Sequence, residues 1–212
     1  MVRKQADLPA RPNLEFEQAL WAAGVERVAG IDEAGRGPLA GPVAAAAVIF
    51  PADLHVAERL EGVHDSKQLS IRAREVARQQ ILQTAVAWGV GFASVEEIDE
   101  LGIVPATRLA ASRALSALVL PPAHLLLDYL FLGESELPQT SLIKGDCRSL
   151  SIAAASILAK TARDALMLEL DAQYPGYGLA IHKGYGTPAH RQAIRALGAS
   201  PAHRHSFHLL GK

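Results

Sequence analysis

Runs of apolar residues, cut by glycine, proline and acids, divide the chain into short strands and longer helices. Residues 28–32 read as a buried strand that closes on Asp32. Residues 43–50 are apolar throughout and bounded by Pro42 and Pro51, which predicts a central strand. A third strand is expected over 85–94, where Gly89 and Gly91 signal bulges or close packing. Residues 124–128 form another apolar run closing on an acid, Asp128, and 140–144 read as a further short strand. Helical patterning falls at 14–23, ended by Gly24, and at 70–84, capped by Ser70. It recurs at 95–101, at 105–118 with Pro105 in the first turn, and at 188–197. A long helix starts at Ser149 or Ser151 and reaches about residue 170, its first turns rich in alanine and serine. Residues 1–13 read as a loose tail, 62–69 as a loop and 174–186 as a glycine-punctuated loop. Strands interleaved with helices, some strands adjacent without a helix between them, predict an α/β domain around a mixed sheet.

Composition narrows this picture in three ways. Half of the 212 residues are hydrophobic, enough for a sizeable core in one domain or one domain with a helical extension. The formal net charge is -1, from 21 basic and 22 acidic residues, so the chain is no strongly basic nucleic-acid binder, although a local basic groove remains compatible with that balance. Cys147 is the single cysteine, which excludes an intrachain disulfide and a cysteine-built zinc site and points to a reducing, cytoplasmic setting. The apolar run 43–50 is far short of a membrane span, so a soluble chain without a membrane partner is expected.

The candidate chemistry gathers around four acids and one turn. Asp32 and Asp128 each end an apolar strand, Glu33 follows Asp32, and Asp146 precedes the long helix. Neighbouring strand ends would bring Asp32 and Asp128 together. Successive strand residues face opposite ways, so Asp32 and Glu33 serve one site only if the strand stops there and turns, as Gly35 and Gly37 permit. Converging carboxylates repel one another unless a divalent cation lies among them, and all-oxygen ligands suit Mg²⁺ or Mn²⁺ better than zinc. Paired ions of that kind suit phosphodiester hydrolysis. A lone strand-end acid is more often a cap or a solvated edge; several together, beside a glycine-rich turn, shift that balance.

The stretch 30–43, GIDEAGRGPLAGPV, resembles the signature of the ribonuclease HII family. So do DSKQL at 65–69, the strand ending at Asp128, KGD at 144–146, SIAAASILAKTARD at 151–164, HKGYGT at 182–187 and HRHSF at 203–207. These blocks stand in the family's order from Gly30 nearly to the C-terminus. The resemblance implies a ribonuclease H-like mixed β-sheet flanked by helices, with a C-terminal helical extension. It divides the chain into a flexible tail (1–13), a catalytic domain (14–180) and a substrate-binding extension (181–212). It implies hydrolysis of RNA paired to DNA, including single ribonucleotides embedded in duplex DNA, cut on the 5′ side to leave a 3′-hydroxyl and a 5′-phosphate. By the same resemblance Asp32, Glu33, Asp128 and Asp146 bind Mg²⁺ or Mn²⁺. Gly35, Arg36 and Gly37 face the 2′-hydroxyl and adjacent phosphate, Tyr185 lies against the following sugar, and Lys67 is a phosphate contact. The family usually carries a small residue after the third carboxylate; here it is Tyr129, expected to point into packing.

Other candidates are weaker. Cys147 has no histidine beside it in sequence and reads as structural. His182, His190, His203, His205 and His208 fit no common zinc spacing. Lys183, Arg191, Arg195, His203, Arg204 and His205 form the most basic local cluster, read as a duplex-binding ridge. Asp164 is expected to pair with Lys160 on the helix surface. Arg36-Gly37-Pro38 matches neither the dinucleotide nor the P-loop glycine pattern. Rival readings are ribonuclease HIII, which normally carries an extra N-terminal domain, a junction resolvase of the same superfamily, and a binding module without chemistry. A monomer is expected, with no evident protein partner and no obvious clamp-binding peptide at the C-terminus.

Overall fold

A computed structural model describes residues 8–60, 62–63 and 69–210. The elements run in the order α1 (Glu15–Ala22), β1 (Val28–Ala34), β2 (Val43–Ile49), α2 (Val56–Arg59), α3 (Ile71–Thr84), β3 (Ala87–Ala93), α4 (Val95–Leu101) and α5 (Ile103–Ser116). They continue with β4 (His124–Asp128), β5 (Gln139–Leu142), a 3₁₀ turn (Gly145–Cys147), α6 (Leu150–Gln173), α7 (Leu179–His182) and α8 (Pro188–Leu197). The strands form one mixed sheet in the order β3-β2-β1-β4-β5, flanked by helices. This is the α/β architecture that the apolar pattern implies; the short helices α2 and α7 are additions to it.

The chain divides into two compact units, one of residues 1–32, 48–87 and 120–157, the other of 33–47, 88–119 and 158–212. In the first, β1 pairs in parallel with β4 and β4 with β5. Gly30 lets α6 sit directly on β1, since a Cβ there would overlap the Ser151 backbone. The start of α6 is fixed from a distance. Buried Glu17 accepts from Ser149 Oγ (2.6 Å), Ser151 Oγ (2.6 Å) and the Ser151 N–H (2.9 Å). A carboxylate at that end meets the positive pole of the helix and its unsatisfied N–H groups. Val28, Leu126, Leu142 and Ile152 pack there against the face of α1 that carries Phe16 and Leu20.

In the second unit, Gly89 and Gly91 of β3 allow α5 to approach, because a Cβ at either would overlap the α5 backbone at Ala114 or Ala110. Of the two roles open to these glycines, close packing is the one seen. The capping box of Ser94 and Glu97 starts α4, and Glu97 also takes both ends of the Arg113 guanidinium at 2.7 Å, which holds its carboxyl down at about 2. A cluster of Leu39, Met167, Tyr177, Leu179, Ile194 and Ala202 forms the local core. Each of the buried Leu, Ile and Met side chains contributes about 1.5–3 kcal/mol.

Two expectations need correction. β1 does not stop at Asp32 but runs on to Ala34, so the turn begins two residues later than the acids suggested. The basic cluster is not a continuous ridge, because His203 and Arg204 have no exposed surface. Both are consumed by internal hydrogen bonds, described below.

Candidate active site

The parallel pairing of β1 and β4 runs through Ile31 opposite Leu127, which places Asp32 and Asp128 next in line on adjacent strands. Adjacent strands lie about 4.8 Å apart, so two such acids meet. Asp146 arrives from the 3₁₀ turn that follows β5. That turn also secures Asp128, whose Oδ1 accepts from the Gly145 N–H at 2.7 Å. Gly145 is required for this approach: a Cβ there would press on Ile152 and on the Asp128 backbone. Asp32, Asp128 and Asp146 each offer a carboxylate oxygen within 4.8 Å of the others, with Asp32 and Asp146 buried.

Three negative groups at that spacing repel by about 3.5 kcal/mol per pair at an effective dielectric constant near 20. A divalent cation reverses the sign of that balance, and the donor set, oxygen only, fits a hard ion. Among the described residues this is the one group of acids, histidines or cysteines arranged to hold a metal. Glu33 is not in it. Its Oε1 accepts from Arg36 Nη1 at 3.2 Å, which ties the acid that follows Asp32 to the glycine turn.

The glycine turn has a different construction. Gly35 is buried with φ +96°, and a Cβ on it would overlap the Arg163 side chain. Its lack of a side chain is therefore a demand of the fold. Gly37 is exposed, takes no left-handed dihedral, and an added Cβ would meet only Tyr185 Cε1 at 3.9 Å. Nothing among the described residues requires glycine there. Arg36 between them is exposed, as is Tyr185 at 48 %.

Sequence reasoning missed two buried arginines. Arg204 donates to the carbonyls of Gly35 (2.6 Å), Arg36 (3.0 Å), Pro38 (2.9 Å), Gly41 (2.8 Å) and Pro42 (3.1 Å). Arg163 donates to Pro42, Ala40 and Lys183 at 2.8–3.0 Å. Desolvation pulls both guanidiniums down, Arg163 to about 10 and Arg204 to about 9, the latter also repelled by Arg163. Both stay charged at neutral pH. Only the positive dihedrals and crowded neighbours of Gly35 and Gly41 would have hinted that something large lies against them.

Three of the histidines, His182, His190 and His203, lie ring against ring. His182 lies on His190 with centroids 4.2 Å apart, and His190 Nε2 meets His203 Nε2 at 3.1 Å. Because the Ser200 N–H donates to His203 Nδ1 (3.0 Å), His203 carries its proton on Nε2 and donates to His190. His190 then donates from Nδ1 to the Tyr185 carbonyl at 2.9 Å. Burial pushes His190 down to about 4 and His203 down as well, so both are neutral. Tyr129, expected to pack inward, is 74 % exposed with φ +47°. The small residue usual in the family at that place suits this left-handed backbone. Lys160 pairs with Asp164 at 2.6 Å as expected, Cys147 is half-buried, and Lys67 lies outside the described residues.

The model of the family described as ribonuclease HII matches residues 29–210. Ribonuclease HII of Geobacillus kaustophilus is 55% identical over 194 residues, 92% of this chain and 73% of that protein. Ribonuclease HII of Synechococcus sp. is 55% identical over 201 residues, 95% of this chain and 90% of that protein. The solved ribonuclease H2 of Pyrococcus horikoshii superposes with a TM-score of 0.73 at 27% identity, covering 87% of this chain and 95% of that one. The Archaeoglobus fulgidus ribonuclease HII, solved in complex with PCNA, gives 0.73 at 27% identity, covering 88% and 97%. A ribonuclease HIII solved with Mn²⁺ shares the fold at a TM-score of 0.64 and 21% identity. The mixed sheet shared with these structures, together with the three carboxylates gathered in this chain, defines the class: a ribonuclease H, a divalent-metal-dependent hydrolase acting on RNA/DNA substrates. Within that class, the chain belongs to the ribonuclease HII family.

Proposed function

We propose that this ribonuclease hydrolyses the RNA strand of RNA/DNA hybrids and cuts 5′ to single ribonucleotides embedded in duplex DNA, leaving 3′-hydroxyl and 5′-phosphate ends. The observation that carries the reading is the group of Asp32, Asp128 and Asp146 within 4.8 Å, in a chain of this family. Those three residues would hold Mg²⁺ or Mn²⁺, with Glu33 as the fourth carboxylate. Bound there, the ions supply activation of the attacking water and stabilisation of the leaving oxygen. The chain's own share is placement: Gly145 fixes the Asp128 carboxylate, and the sheet register fixes Asp32 beside it.

Gly35, Arg36 and Gly37 are assigned to reading the ribonucleotide. A 2′-hydroxyl, both donor and acceptor, is the local mark of RNA. Gly37, for which no neighbour among the described residues demands glycine, supports close approach of a ligand to the turn. Tyr185, beside it and half-exposed, is assigned to the following sugar, and Lys67 to a phosphate. On this reading residues 14–180 form the catalytic domain, 181–212 a substrate-binding extension and 1–13 a tail, in a monomer working in the cytoplasm. No helix among the described residues is long and apolar enough to cross a membrane.

The test is cleavage of an end-labelled DNA duplex carrying one ribonucleotide, with Mg²⁺ or Mn²⁺. Cutting on its 5′ side, with a 3′-hydroxyl product, is expected. Cutting only of long hybrids, or only of four-way junctions, would overturn the assignment in favour of a different nuclease of the superfamily.

A further inference from the structure

Arg204 uses all five of its N–H groups, one for each of five carbonyls of the segment 35–42. Arg163 takes two more contacts to the same segment and ties it to Lys183 of the Tyr185 loop. Neither guanidinium is in an ion pair among the described residues. Two buried cations held by carbonyls rather than by a direct ion pair are a costly way to fill a core that apolar side chains could fill.

Their effect on the turn follows from peptide planarity. In a trans peptide the N–H points opposite to the C=O. Turning the Gly35 and Arg36 carbonyls in toward Arg204 therefore turns the N–H groups of Arg36 and Gly37 outward, on the two exposed residues of the turn. Further along the same segment two N–H groups are used internally: Leu39 donates to Gly184 and Gly41 to Ala202, both at 2.8 Å. A cation on the carbonyl also polarises the peptide and makes its N–H a stronger donor. Successive outward N–H groups of this kind make an anion-binding concavity.

We propose that Arg204, backed by Arg163, is the positioning residue of the ribonucleotide-reading turn: it aims the Arg36 and Gly37 amides at a phosphate or 2′-hydroxyl oxygen of the substrate. The inference rests on the substrate reading above. It predicts that shape, not charge alone, is what position 204 supplies. Lysine keeps the charge but concentrates three donors on one atom, and cannot span five carbonyls.

The experiment compares wild type with Arg204→Lys on the single-ribonucleotide duplex, measuring KM, kcat, binding to an all-DNA duplex and Mn²⁺ affinity. KM is expected to rise about tenfold, the equivalent of one lost charge-assisted hydrogen bond, with preference for the ribonucleotide duplex falling in step. Mn²⁺ affinity is expected to stay at the wild-type value. Unchanged KM and preference would overturn the proposal, as would a loss confined to Mn²⁺ binding and kcat. Should Arg204→Lys not fold, Arg163→Lys tests the same idea with a smaller expected rise, about threefold, and an unchanged KM there overturns it too. If wild type itself does not cut the ribonucleotide duplex, the substrate reading has failed, not the role of Arg204.

Discussion

The carboxylate group and the glycine turn follow one another along the chain, yet they are built by opposite means. Asp32 and Asp128 stand where they do because hydrophobic strands pair in a fixed register, and one backbone amide, that of Gly145, finishes the job. The turn at 35–42 has one isolated bridge, Ala40 to His203, where the acids have a strand ladder. Its shape comes from two buried guanidiniums that seize its carbonyls. A site carried on strands inherits the sheet's rigidity. A site carried on a turn needs its own scaffold, and here the scaffold arrives from residues over a hundred positions later.

The sharpest way to probe that difference is inside the turn itself. Gly35→Ala should destabilise the protein by about 3 kcal/mol or more, because its backbone is left-handed and the new methyl would strike Arg163. Gly37→Ala should change stability by less than about 0.5 kcal/mol while raising KM for a ribonucleotide duplex. Chemical denaturation and steady-state kinetics on both variants check this. Equal destabilisation by the two would erase the distinction between a glycine the fold demands and one the substrate demands.

A smaller effect is expected in pH. His190 and His203 are neutral in the folded protein, their affinity for protons depressed by burial, with His190 near 4 against an ordinary 6.5. The unfolded chain therefore binds more protons between those values. Stability from this pair is complete above about pH 6.5 and is lost as pH falls toward 4. His190→Gln should flatten that slope in urea midpoints measured across the range. An unaltered slope would place the acid sensitivity elsewhere.

The smallest effect concerns Tyr129, on the strand side of the comparison. Tyr129→Gly should stabilise the protein by about 1 kcal/mol, since a left-handed backbone costs tyrosine that much and the exposed ring offers little burial in return. A loss of stability in thermal melts would mean that the ring packs more than its exposure indicates.

The same contrast explains what could be read from the sequence. Strand-end acids were legible because an apolar run with a carboxylate at its end has one economical interpretation, and the sheet obeyed it. The end of β1 was misjudged by two residues because the glycines looked like an immediate stop. Glu17, Arg163, His203 and Arg204 were illegible as core residues because charged and polar side chains signal surface by default. Their partners are backbone carbonyls, hydroxyls and amides, which carry no signature in composition. Tyr129 was misplaced because its neighbours are apolar, whereas its positive φ, not its hydrophobicity, decides where it goes.

The central claim is that Asp32, Asp128 and Asp146 together hold the ion on which hydrolysis depends. Titrating Mn²⁺ into wild type and into Asp128→Asn, with folding confirmed by circular dichroism, tests it most directly. Wild type should bind Mn²⁺ and cut; Asp128→Asn should keep its fold, bind at least tenfold more weakly and lose cutting by about 10³-fold or more, roughly 4 kcal/mol of barrier. Undiminished Mn²⁺ binding and cleavage in that variant would contradict the account.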